Sequence, residues 1–192
     1  MSLKYTLLGF LSYEPMTGYS LKGNIDRSTQ AFWHASLGQI YPLLKKMVQD
    51  GLVDVLVVPQ DGKPDKKYYF ITDAGRAELD TWLREPLDTP AQRKDSVLLK
   101  LFFSGSLDKD TLLKQLERQL EAQQTRLRLV KEDTAAYIQQ AVKQTGRQRE
   151  GLMWERTRQF GEEYARLYIR WLQDTIEIVK KLEPDDQRQA LP

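Results

Sequence analysis

Cysteine is absent from the 192-residue chain. That excludes disulfides and thiolate metal sites, and it makes a reducing compartment, the cytoplasm, the expected location. Histidine is almost absent as well: His34 stands alone. Catalytic imidazoles and zinc clusters need a supported histidine and often several, so His34 reads more simply as a loop residue beside Trp33 than as a ligand. No glycine-rich phosphate loop follows a strand, and no nucleophile stands near a base. Catalytic residues, metal and cofactor are therefore all expected to be none, and an enzyme acting on a hydrophobic small molecule has the least support. No apolar run reaches the ~18 residues of a membrane helix, and the N-terminus lacks the pattern of a targeting signal. A soluble chain with no membrane partner is expected. An excess of one charge is missing too, since 29 basic and 27 acidic residues leave +2. Residues 1–84 carry 10 basic and 9 acidic side chains. Bulk charge gives no nucleic-acid footprint, so any such footprint must be local.

What is present is 41% apolar residues, enough for a real core. Leu3, Leu7, Leu8 and Leu11 recur at helical spacing, and Glu14-Pro15 closes that first helix. Thr17 is placed to cap a second helix reaching about residue 27, with Tyr19, Leu21 and Ile25 on its expected buried side. Residues 28–35 read as a loop. Ser36 and Gln39 fit a capping box for a third helix, whose apolar stripe is Leu37, Ile40, Tyr41, Leu44, Met47 and Val48 and whose stop is Gly51. Pro42 should distort its first turns, because it removes a backbone donor. The period then changes to extended over 52–58, turns over 59–65 and returns as Lys67-Tyr68-Tyr69-Phe70-Ile71, a hairpin. Thr72 caps a fourth helix through Trp82-Leu83. Three helices, a hairpin and a helix make a winged helix-turn-helix.

The second half is predicted to be helical throughout. A short helix carries Val97, Leu98, Leu101, Phe102 and Phe103. From Asp108 to about residue 144, Leu113, Leu116, Leu120, Leu127, Val130, Tyr137 and Ala141 follow a heptad rhythm, a helix of roughly 50 Å. Gly146 breaks it, and Phe160, Tyr164, Leu167, Trp171, Ile178 and Leu182 resume the rhythm. Two such seams are expected to pack on each other and on a second copy of the chain. The fold class is thus mainly α, an N-terminal winged helix-turn-helix with a two-stranded β wing plus a C-terminal long-helix dimerisation domain. The expected divisions are 1–84 for DNA binding, 85–94 as linker, 95–184 for dimerisation and 185–192 as a disordered tail.

Several motifs, in order, resemble the PadR family of transcriptional regulators: Met16-Thr17-Gly18-Tyr19-Ser20-Leu21, Phe32-Trp33 before Ser36, Gly38-Gln39-Ile40-Tyr41-Pro42-Leu43-Leu44, Asp50-Gly51-Leu52-Val53, and Lys67 through Arg76. Trp171-Leu172 extends the likeness into the second half, and Met47-Val48-Gln49 departs from the family's more frequent Leu-Glu. The resemblance implies a homodimer that binds an inverted-repeat operator in double-stranded DNA, usually as a repressor, and is released by a small hydrophobic or aromatic effector.

Within that frame the candidate DNA contacts are Thr17, Tyr19, Ser36, Gln39, Tyr41, Pro42, Lys45 and Lys46, with Lys63, Lys66 and Lys67 on the wing. Each has a structural alternative: Thr17, Ser36 and Gln39 as caps, Tyr41 as core, the lysines as an ordinary polar face. The candidate dimer residues are Leu113, Leu116, Leu120, Phe160, Tyr164, Leu167, Trp171 and Ile178. Trp33, Trp154, Tyr168 and Trp171 are candidates for an effector pocket, or are simply core and interface. A protein-contact winged helix with the arm as scaffold is the alternative function.

Overall fold

The structure, a computed structural model, describes residues 2–29, 33–62, 65–90 and 94–182. Lys63 and the expected tail 185–192 lie outside the described residues. The chain divides into two compact units, 1–90 and 91–192.

In the first unit, α1 (Ser2–Leu11) turns Leu7, Leu8 and Leu11 into the core. Helix α2 (Gly18–Ser28) is started by Thr17, whose hydroxyl accepts from the Ser20 N–H at 3.0 Å. It buries Leu21 and Ile25, but Tyr19 is 74% exposed, against the expectation that it faces inward. Counting from Leu21 and Ile25, the next position on the same face is Gly18, and Gly18 is the buried residue. Helix α3 (Leu37–Gln49) starts on the predicted capping box, with Gln39 Oε1 accepting from the Ser36 N–H at 2.9 Å. Its buried stripe is Ile40, Leu44 and Met47. The helix runs unbroken through Pro42, which costs one backbone hydrogen bond and leaves the remaining turns to continue.

The wing pairs β1 (Val53–Val58) antiparallel with β2 (Lys66–Ile71), from Val53 opposite Ile71 to Val58 opposite Lys66. On its other edge β2 is bridged by Met16: the Met16 N–H donates to the Tyr69 carbonyl at 3.1 Å and the Tyr69 N–H to the Met16 carbonyl at 2.8 Å. Helix α4 (Asp73–Arg84) begins at Thr72, whose hydroxyl donates to the Gly51 carbonyl at 2.8 Å and accepts from the Gly75 N–H at 3.0 Å. A Cβ on Gly75 would lie 2.2 Å from the Leu52 carbonyl oxygen, so only glycine lets this turn approach the backbone. Helix α4 also packs on α1, where Lys4 and the Tyr5 hydroxyl both bond Glu78 and Tyr5 stacks on Trp82 at 4.5 Å. The Lys4 hydrogen bond holds the Glu78 carboxyl below its usual range.

The second unit opens with α5 (Ser96–Phe102), capped by Asp95, which accepts from the Val97 and Leu98 N–H groups and from the Tyr168 hydroxyl at 3.0 Å. A 3₁₀ turn (Ser104–Ser106) leads to α6 (Lys109–Leu129), capped by Asp108. A π turn (Val130–Thr134) passes directly into α7 (Ala135–Thr145), so the long predicted helix is present with one wide turn inserted. Gly146, at φ 71°, ends it in the left-handed conformation, and α8 (Gln148–Lys180) runs back for 33 residues. Lys109 at the start of α6 donates to the carbonyls of Lys180 and Leu182, placing a cation at the negative end of α8.

The seam of α8 is turned by one position from the expected one. Its buried face is Gly151, Gly161, Ala165, Tyr168, Leu172, Ile176 and Val179. Phe160, Leu167, Ile178 and Leu182 are exposed. Gly151, Gly161 and Ala165 let the helices of one chain approach closely, while Phe160, Leu167, Ile178 and Leu182 stay on the other side.

Candidate nucleic-acid interface

Helix α3 turns Gln39, Tyr41, Pro42, Lys45, Lys46 and Gln49 outward as it buries the stripe just described. Tyr41, expected in that stripe, is instead 45% exposed. Its ring takes the space a side chain on residue 18 would need: a Cβ on Gly18 would sit 2.6 Å from Cε1 and 2.9 Å from Cζ of Tyr41. Gly18 thus admits the ring at the first turn of α2, where backbone N–H groups have no intrahelical partner. Tyr69 lies close enough for its phenol to feel that of Tyr41, and burial, then Tyr41, pushes the Tyr69 hydroxyl pKa up. Tyr69 is also the residue bridged to Met16. One run of contacts therefore joins the wing, the start of α2 and the middle of α3.

Thr17 and Ser20 share a hydrogen bond of 2.9 Å between their hydroxyls on that surface, and Tyr19 projects beside them. Ser36 and Gln39 are exposed, but Gln39 Oε1 is occupied by the cap, and only its amide N–H groups face solvent uncommitted to it. On the wing, side chains alternate between faces. Lys66 shares a face with Tyr68, over whose ring its ammonium sits at 5.2 Å, whereas Lys67 shares the face of buried Tyr69. The two wing lysines thus leave the strand on opposite sides.

Lys45, Lys46, Lys66 and Lys67 have no ion pair among the described residues. Elsewhere in the same unit Lys4, Lys22 and Arg84 each hold a carboxylate. The chain's charge is balanced overall, yet the cations on α3 and the wing are left uncompensated. That is the local arrangement a polyanion requires.

The other candidates are distributed differently from expectation. Leu116 is buried in the core of its own chain with Leu112, Leu172, Ile176 and Val179, so it is a fold residue and not a surface for a partner. Leu113, Leu120, Tyr164 and Trp171 are partly buried against the same core. Phe160, Leu167 and Ile178 stay exposed, as do Leu99 and Phe102 of the short helix and Phe103 just after it. Of the aromatic set, Tyr168 and Trp171 meet edge to face at 5.4 Å. Trp154 stands about 21 Å from Tyr168 along α8, at ~1.5 Å per residue, farther than the edge-to-face pair of Tyr168 and Trp171. Trp33 belongs to the other unit, and its buried indole N–H has no acceptor among the described residues. His34 is exposed, no metal-binding group exists among the described residues, and no helix there is long and apolar enough to cross a membrane.

Residues 7–81 match the family described as transcriptional regulator PadR-like, and residues 93–180 match the C-terminal region of virulence activator alpha. The chain is 34% identical over 125 residues to the negative transcriptional regulator PadR of Bacillus subtilis (strain 168), covering 65% of this chain and 69% of that one. The chain belongs to the PadR-like family. It is accordingly a transcriptional regulator, and this family is not one of enzymes. The structure of Bacillus subtilis PadR in complex with operator DNA superposes with a TM-score of 0.73 at 26% identity, covering 93% of this chain and 99% of that one. The same protein in complex with p-coumaric acid gives 0.68 at 25% identity, over 94% and 100% of the two chains. The mainly helical winged-helix architecture with a long C-terminal helix is common to them.

Sequence reasoning missed the Gly18–Tyr41 seat, the Met16–Tyr69 bridge and the π turn. The first had a signal in the sequence: a glycine directly after the capping threonine, where a better helix former costs less.

Proposed function

We propose that the chain is a cytoplasmic homodimer that represses a neighbouring operon by binding an inverted repeat in duplex DNA. The observation that carries this is the set of unpaired lysines on α3 and the wing, flanking a tyrosine seated on the start of α2. Helix α3 enters the major groove, Lys45 and Lys46 meet phosphates, and Tyr41 sets its hydroxyl beside the free N–H groups of α2 at a further phosphate. Gln39 reaches base edges with its amide while its carbonyl stays in the cap. The wing lysines divide, one to each side of the hairpin, between phosphates and the adjacent minor groove. Repression and operator binding are supported by the likeness to the negative transcriptional regulator PadR of Bacillus subtilis and to that protein's complex with operator DNA.

A second copy covers Phe160, Leu167 and Ile178 with Leu99, Phe102 and Phe103, since an exposed apolar surface of that extent marks an association site. A small hydrophobic or aromatic effector releases the operator, by analogy with the p-coumaric acid complex of the relative; Trp33, whose buried N–H has no acceptor among the described residues, is a candidate donor to it.

The test is a mobility shift on the DNA upstream of the chain's own gene and of its neighbour. Binding that prefers this DNA over competitor and weakens steeply with salt is expected. Equal affinity for competitor DNA refutes operator recognition and favours a protein-contact role for the winged helix.

A further inference from the structure

The hydrogen bonds at the far margin of the wing determine which backbone groups of β1 are left over. The N–H and carbonyl of Tyr69 both turn to Met16, away from β1. Tyr69 stands opposite Val55, so these two form a non-hydrogen-bonded pair, and the N–H and carbonyl of Val55 turn outward as well. By the same alternation the backbone of Val57 points outward, whereas Asp54, Leu56 and Val58 bond to β2. The Thr72 N–H, which donates to the Leu52 carbonyl two positions before Asp54, keeps the same phase. On the outer side no backbone group meets Val55 or Val57 among the described residues.

One edge of the sheet is thus closed by Met16 and the other is open. Open edges are ordinarily blunted by lysine, proline or a bulge. Strand β1 has none of these: its pairing is regular from Val53 to Val58, Asp54 is its single charge, and Val55, Leu56, Val57 and Val58 are exposed, Leu56 by 55%.

We propose that this edge pairs antiparallel with the same edge of a second copy, across a two-fold axis at Leu56. Val55 of each copy then exchanges both hydrogen bonds with Val57 of the other, which satisfies the outward groups of both residues. Leu56 faces its own counterpart, so the central row on one face of the joined sheet reads Tyr68, Leu56, Leu56, Tyr68. The rows beside it read Phe70, Asp54, Val58, Lys66, which brings a carboxylate of one copy towards an ammonium of the other and sets no like charges opposite. A shift of two residues one way would enlist Pro59, which has no N–H, and the other way Val53, which is buried in its own core. Strand β1 matches itself in hydrogen bonds, apolar rows and charge, and a second copy is the occupant it fits.

Six residues span about 20 Å. One strand edge of that length buries less than the roughly 1,000 Å² of a stable interface. The contact is therefore weak between free molecules and grows where copies are concentrated. It is separate from the exposed face of α8 and is read on the protein without DNA.

Solvent exchange of individual backbone N–H groups, followed by NMR on the full chain, tests this. At a Kd of about 0.1 mM, the Val55 and Val57 N–H groups are expected to exchange about four times more slowly at ~1 mM chain than at ~10 μM, while Leu56, bonded within the hairpin, shows no such dependence. Val57→Pro removes an outward donor and no bond to β2, and is expected to abolish the dependence at Val55. Where that change disturbs the hairpin, Leu56→Lys carries the test, because it sets two ammonium groups opposite each other at the axis and leaves the backbone alone. Equal exchange at both concentrations, which leaves the edge to a different chain, or a dependence that survives Leu56→Lys overturns the proposal. So does protection of Val55 and Val57 that follows added duplex DNA and not chain concentration, an outcome that assigns the edge to DNA.

Discussion

Gly18→Ala separates DNA recognition from folding. The added methyl would stand 2.6 Å from Tyr41 Cε1, where carbon contacts settle near 3.5 Å, so the ring must retreat by about 1 Å. Folding changes little. Alanine restricts the unfolded chain and so stabilises by about 0.4–1 kcal/mol, against a similar cost for the displaced ring. Operator binding changes much more. A hydrogen bond from a phenol to a charged phosphate contributes about 1.5–3 kcal/mol, and a dimer makes it twice. The loss of both raises the operator Kd by roughly 10²–10⁴-fold. Fluorescence anisotropy on the operator at fixed salt measures this, with thermal unfolding followed by circular dichroism alongside. Tyr41→Phe alone should weaken binding comparably, and adding Gly18→Ala to it should cost less than about 0.5 kcal/mol more. If Gly18→Ala costs as much in the Tyr41→Phe background as in the wild type, or leaves operator affinity intact, the seat on Gly18 does not act through that hydroxyl.

Three further outcomes are expected. Lys66→Ala and Lys67→Ala should each lower affinity on all sequences and flatten the salt dependence by about one counterion; because the two side chains leave opposite faces of the hairpin, the double variant should show the sum of the two, read from binding isotherms across a salt series. Phe160→Glu with Ile178→Glu should give monomers in sedimentation at low concentration, and operator affinity should fall with dimer content, since two half-sites then bind independently. Hydrogen bonds from Arg158 hold the Glu155 and Glu162 carboxyls below the ordinary 4.5. Their contribution to stability is therefore complete above that value and is lost as pH falls below it through the lowered folded-state values; Glu162→Gln should flatten the decline of the melting temperature over that acid range.

Element starts were legible because caps are local. Thr17, Ser36, Thr72 and Asp108 each bond a backbone N–H within their own turn or sit in a capping box, and Gly146 supplies the left-handed stop, so side-chain type and spacing suffice. Which face of a helix is buried was less so. In α8 the largest apolar side chains drew the predicted seam, whereas the chain's own core took the face with Gly161 and Ala165. Side-chain size marks burial in general and does not distinguish burial within a chain from burial against another. Tyr19 and Tyr41 failed for a related reason: an apolar ring at helical spacing reads as core, but Gly18 makes room for one and the other projects into solvent. The Met16–Tyr69 bridge and the π turn have no periodic signature, because each depends on a partner distant in sequence or on a single inserted residue. The candidate DNA contacts were named from the family motifs; that Lys45, Lys46, Lys66 and Lys67 hold no ion pair among the described residues became visible only in three dimensions.

The bridge between Met16 and Tyr69 bears on how specificity in this protein can be re-engineered. Helix α3 alone is not an exchangeable cassette, since its Tyr41 is shaped by Gly18, and Gly18 lies two residues from a backbone pair with the wing. A transplant that carried α3 without residues 16–18, or the hairpin without Met16, would part groups that position one another. On the proposed reading, residues 16 through 71 should be moved together, onto a scaffold that keeps the packing of Leu7, Leu8 and Leu11 of α1 against them.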